Sequence, residues 1–173
     1  PSAEQRLTLY REGDTWRLGG WAPATLKGPH RAGPFKDAFR NNVLLVIGTG
    51  GTDEERAATF ARARYDSENF WYRGNASLAL IRDRDFDAAT YADRNIVLYG
   101  NAGTNSAWAA LLGDSPVQVR PGAVSIGDRT IEGDNLACLF VRPRPGSDYF
   151  SVAAVAGTGP AGMRLTQRVP YFQ

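Results

Sequence analysis

One cysteine, one histidine, one methionine and two lysines in 173 residues leave several chemistries without material. Cys138 alone can form neither an internal disulfide nor a cysteine-rich metal site. It lies in the apolar run Leu136 to Val141 and reads as a small, inert, buried hydrophobe. His30 alone excludes a histidine cluster for a metal. No Gly-x-Ser-x-Gly elbow occurs, so a serine nucleophile of that kind is missing, and a Ser-His-Asp set would have to recruit His30 with an unrelated loop serine. Apolar runs such as Val43 to Ile47 fall far short of the roughly 20 residues that span a bilayer, so no membrane role is expected. The opening residues Pro1 to Arg6 are polar and carry no signal-peptide core, and a start on proline reads as a piece of a longer product. Blocks of like charge are missing too. Of the 20 basic residues only Lys27 and Lys36 are lysine, and the arginines alternate with acids, as in Arg82-Asp-Arg-Asp85, for a net charge of +2. That pattern suits a solvated, ion-paired surface and no nucleic-acid partner.

What is present is an ordinary globular composition, 43% hydrophobic and 22% charged, at a length that suits one packed unit. Leu7, Leu9, Trp16 and Leu18 alternate with polar residues across Glu12-Gly-Asp14 and read as a β-hairpin. The Gly/Pro-rich stretch from Gly19 to Pro34 reads as a surface arm anchored by Trp21, so residues 1–34 form a hairpin and arm and residues 35–173 the main unit. Val43 to Ile47 is a continuous apolar run suited to a strand buried on both faces. Thr52 or Asp53 caps a helix that runs towards Phe70-Trp-Tyr72. Strands follow at Ser77 to Ile81 and Ile96 to Tyr99, separated by a short helix near Asp87 to Tyr91, and Thr104 caps a helix through Trp108 and Leu112. Strands alternating with helices predict a parallel sheet with right-handed crossovers, its strands ordered 81-region, 47-region, 99-region. Beyond Pro116 only strands are expected, around 117–119, 123–126, 129–131, 136–141 and 149–156, before a helix starting at Pro160. The fold class is α/β: a Rossmann-like or flavodoxin-like three-layer sandwich, its parallel core extended by antiparallel strands and preceded by the hairpin arm.

Two glycine turns are the candidate ligand sites. Gly48-Thr-Gly-Gly-Thr-Asp53 stands between a buried strand and a helix N-terminus, where backbone N–H groups and the dipole favour an anion. It is neither G-x-G-x-x-G nor a phosphate loop, and Asp53, Glu54 and Glu55 oppose an anion, so a tight strand-to-helix turn is the plainer reading. Gly100-Asn-Ala-Gly-Thr-Asn105 follows the third strand at the same sheet edge, where Asn101, Thr104 and Asn105 can either read a small polar ligand or satisfy local backbone. The candidate binding set is therefore Gly48, Thr49, Gly50, Gly51, Thr52, Asn101, Thr104 and Asn105, and it would serve a nucleotide or sugar-phosphate binder. Asp83, Asp85 and Asp87 read as solvent-facing and capping residues. No catalytic residue, metal or cofactor is expected.

Leu26-Lys-Gly-Pro29, Gly33-Pro-Phe-Lys-Asp-Ala-Phe39, Asn95-Ile-Val-Leu-Tyr-Gly-Asn-Ala-Gly-Thr-Asn105 and Val169-Pro-Tyr-Phe172 occur in an order that resembles the C-terminal accessory region of large bacterial esterases and peptidases related to prolyl oligopeptidase. The resemblance spans roughly residues 5–173, and Gly33 to Phe39 is its most specific motif. It implies a non-catalytic segment beside an α/β-hydrolase domain of the same polypeptide, with any secreted or periplasmic address supplied by that parent. The chain departs from the family at Lys36, at Val46 to Gly50 and at Val141 to Pro145, and none of the family's catalytic residues maps onto it.

Overall fold

The computed structural model describes residues 7, 9–19, 34–40, 42–169 and 171. The stretch 20–33, with Trp21, Lys27 and His30, lies outside them, as do Pro170 and Phe172 of the last motif. Leu9–Glu12 (β1) and Thr15–Leu18 (β2) pair antiparallel, with Leu9 opposite Leu18 and Arg11 opposite Trp16. A short 3-10 turn, Phe35–Phe39, leads into Val43–Ile47 (β3). Asp53–Gly74 (α1), Ala79–Arg82 (β4), Asn95–Tyr99 (β5) and Trp108–Leu112 (α2) follow. Val117–Arg120 (β6), Ala123–Ile126 (β7) and Arg129–Glu132 (β8) make a separate three-stranded antiparallel sheet. Ala137–Pro143 (β9), Ser151–Gly157 (β10) and Pro160–Leu165 (α3) close the chain.

The chain is an α/β protein around a five-stranded mixed sheet of order β4-β3-β5-β10-β9. The first three strands lie in the expected order, parallel to one another. β10 departs from expectation: it runs parallel to β5, and only β9 is antiparallel. The reason lies in its residues. Ser-Val-Ala-Ala-Val-Ala-Gly is buried throughout, as a strand covered on both faces requires, whereas β9 is only half-buried and takes the sheet edge. The β9–β10 hairpin therefore docks with its second strand inward.

Alternation along each strand sends successive side chains to opposite faces. Leu44, Val46, Ile96, Leu98, Val152 and Ala154 pack with Trp108, Leu111 and Leu112 of α2 and with Val119 and Val124 of the small sheet. Leu45, Ile47, Val97, Tyr99, Ala153 and Val155 face Ala63 of α1, Phe39 and Tyr171. Cys138 is half-buried against the α2 face, and burial pushes its thiol upward.

α1 starts on a capping box. The Thr52 hydroxyl accepts from the Glu55 N–H at 3.2 Å, and the Glu55 carboxylate accepts from the Thr52 N–H at 2.8 Å. No helix forms at Asp87–Tyr91. Asp83–Asp85 makes a 3-10 turn, and the Asp87 carboxylate instead accepts from the Thr90 N–H at 2.7 Å within a run of turns. The guanidinium of Arg144, itself buried, donates to the carbonyls of Ala88, Tyr91 and Arg94 at 2.8, 2.5 and 2.7 Å, which withdraws those acceptors from any helical ladder. α2 also begins later than expected, at Trp108, with Ala107 and not Thr104 at its N-cap.

Tyr171 ties the last described residue to this frame. Its ring stacks on Phe39 at 5.4 Å, lies under the Arg62 guanidinium at 5.0 Å, and its hydroxyl donates to Asp66. Tyr99 of β5 donates to the same Asp66 oxygen at 2.8 Å, and Arg62 pairs with Asp66 at 3.1 Å. Burial raises the Asp66 carboxyl above its ordinary range, while Arg62 and the two hydroxyls pull the other way.

Candidate functional site

The two glycine turns meet at the carboxyl ends of β3 and β5, and all eight candidate residues come together there. Gly48 donates to the Tyr99 carbonyl and Gly50 to the Thr104 carbonyl, both at 2.9 Å. A Cβ on Gly48 would stand 2.5 Å from the Thr104 carbonyl oxygen, so only glycine permits this approach. Gly51 is glycine for two reasons: its φ is +81°, and a Cβ would meet the Glu55 carboxylate at 2.6 Å. The second turn closes on itself. The Asn101 side chain accepts from the Gly103 N–H at 2.9 Å and donates to the Gly157 carbonyl at 2.8 Å, and the Thr104 hydroxyl accepts from the Asn101 N–H at 2.9 Å. Asn105 donates to the carbonyls of Val46 and Tyr99, at 3.1 and 3.0 Å, stitching the ends of β3 and β5 together.

Asp83 is the residue that the linear pattern hides. It is buried, not solvent-facing, and stands where both turns converge. One carboxylate oxygen accepts from the Thr49 hydroxyl at 2.6 Å, the Thr49 N–H at 3.1 Å and the Arg84 N–H at 3.0 Å; the other accepts from the Ser106 N–H at 2.7 Å. Burial alone would raise this carboxyl, but the bonds from Thr49, Ser106 and Arg84 outweigh it and hold it below its ordinary value. Asp85 pairs with Arg82 and Asp87 caps Thr90, so only the first of three similar aspartates enters the joint. A signal was available: Asp83 is the first residue beyond a parallel strand, on the edge where such sheets place their polar loops.

Chemically this arrangement is a joint. A carboxylate held below its ordinary value is a weak base, so Thr49 is positioned by Asp83 without being activated by it. The helix N-terminus that could hold an anion already holds Glu55 of the same helix. Between Glu55, Thr59, Asn101, Thr104 and Met163 the remaining cleft has a volume of about 10 Å³, about the room for one water molecule. Among the described residues no group of three or more His, Cys, Asp or Glu side chains could hold a metal ion, and no helix is long and apolar enough to cross a membrane.

Gly51→Ala should cost about 1 kcal/mol or more, because alanine at positive φ is disfavoured and its methyl would press on Glu55. Thermal melts of the variant read this, and an unchanged melting temperature would show that the turn relaxes freely. No family model and no curated protein matches this chain.

Proposed function

We propose that this chain is a non-catalytic accessory domain of a larger hydrolase, an esterase or a peptidase, and that it packs against a catalytic α/β-hydrolase domain of the same polypeptide or shapes access to it. The observation that carries the reading is the hairpin. Leu9, Trp16 and Leu18 of β1 and β2 are 59%, 66% and 68% exposed, and the cross-strand register places all three on one face. A lone two-stranded hairpin is marginal in water, and an apolar face left in solvent marks an interaction surface. The motif order that resembles the accessory region of prolyl-oligopeptidase-like hydrolases supplies the identity of the partner. In the same reading the five-stranded sheet is a Rossmann-like sandwich of the flavodoxin kind, with the hairpin as its projecting arm.

The test joins the two pieces in trans. The 173-residue chain should bind the hydrolase domain of its own polypeptide in sedimentation runs, and Leu9→Asp with Leu18→Asp should weaken binding by about tenfold or more. Absence of binding by the unaltered chain would overturn the packing. Robust turnover of p-nitrophenyl acyl esters by this chain alone would overturn the non-catalytic assignment.

A further inference from the structure

We infer that the groove between α1 and the outer edge of β4 binds a carboxylate carried on an apolar body. The inference stands apart from the hydrolase reading, because it rests on other residues than the hairpin that carries that reading. The groove has a volume of about 430 Å³, within the range of roughly 300–1,000 Å³ typical of small-molecule sites. It opens at the carboxyl ends of β3 and β4, the edge on which parallel sheets carry ligands. Ile47 and Leu80 form an apolar wall, and Phe60 of α1 faces them with half of its surface in solvent.

Two guanidinium groups stand at the mouth, Arg56 from α1 and Arg82 from the end of β4. Each is held by surface partners alone. Arg82 pairs with Asp85 at 2.8 Å, both side chains being about half exposed. Arg56 pairs with Asp53, whose side chain is 97% exposed, and donates to the Gly51 carbonyl. Exposed pairs of this kind are individually weak. A ligand carboxylate that also buries an apolar body against Phe60 and Leu80 can therefore take over either guanidinium, whose planar fork fits a carboxylate through two parallel bonds. Asp53 and Asp85 remain beside the mouth, which favours one negative charge over the two of a phosphate monoester. A free aryl or acyl acid and the C-terminal residue of an apolar peptide present the same chemistry.

The test follows amide chemical shifts of the chain during titration with naphthoate, with N-acetyl-alanyl-leucine, and with neutral naphthamide. Saturable shifts confined to Thr49, Arg56, Phe60 and residues 80–85 are expected for at least one acid, and whichever binds more tightly identifies the source. Naphthamide should bind about tenfold more weakly than naphthoate. Arg56→Gln and Arg82→Gln, both at exposed positions, should each weaken the acid, whereas Arg73→Gln at the far end of α1 should not. Overturning results are no saturable shift with either acid, shifts centred elsewhere, equal binding of the amide, or acid binding that persists in both arginine variants.

Discussion

Replacing Val46 or Leu98 with aspartate is expected to abolish cooperative folding. The two residues are register partners on β3 and β5, both 0% exposed, in the cluster that meets Trp108 of α2. Both side chains pack among the hydrophobic residues of that cluster, where a carboxylate would replace apolar contacts. Burying an unpaired charge costs several kcal/mol, and the lost apolar burial adds about 1.5–3 kcal/mol. Against a total stability of roughly 5–15 kcal/mol for a domain, the sum removes most or all of it. Circular dichroism with a thermal melt decides the matter. A soluble aspartate variant with a cooperative transition would mean that this face is not the core.

Asp83→Ala is expected to cost about 3 kcal/mol, because it removes the acceptor of four part-buried hydrogen bonds at once. For a chain of this size that corresponds to a melting temperature lower by about 6–12 °C, at about 2–4 °C per kcal/mol. Asp83→Asn keeps one oxygen for Thr49 and Arg84 and sets its amide against the Ser106 N–H, so it should cost less. The pH dependence has a definite sign. The folded-state carboxyl is held below its unfolded value of about 3.9. Its contribution is therefore complete above that value and is lost as pH falls through the lower, folded one. Comparing melts at neutral pH and near pH 3 should show a smaller gap between wild type and Asp83→Ala at the acidic end. A gap independent of pH would show that the carboxylate charge is irrelevant to the joint.

These two sites mark how far local pattern reaches. β3, β5 and α1 were readable because each declares itself over a few neighbours: unbroken apolar runs for the strands, Thr52 followed three residues later by Glu55 for the helix start. Crossover handedness then ordered β4, β3 and β5. The eight candidate residues of the glycine turns do meet at one edge, because parallel strands bring their following loops to the same side. The two-residue spacing of Asp83, Asp85 and Asp87 does not rank them, and the one signal, that Asp83 directly follows a strand, depends on β4 ending at Arg82 and not at the expected Ile81. Only the folded sheet puts Thr49 and Ser106 over the first. The direction of β10 was hidden for a related reason. Its small apolar residues announce burial but not polarity, which the β9 hairpin decides by docking its second strand against β5. The turns at 88–93 escaped because the group that shapes them, Arg144, is some 50 residues away in the chain.

The place of β10 in the sheet has a consequence for how the molecule is made. β5 is complete at Tyr99, yet its second neighbour, β10, is not complete until Gly157. During synthesis the growing chain therefore carries β4, β3 and β5 with one flank of β5 unpaired while the next 58 residues are added. At about 5–20 residues per second this lasts about 3–12 seconds. Throughout that interval Ile96, Val97 and Leu98 present a bare parallel edge, which is a template for pairing between nascent chains. Slowed elongation between residues 100 and 157 should raise the aggregated fraction, and early capture of β5 by a holding chaperone should lower it.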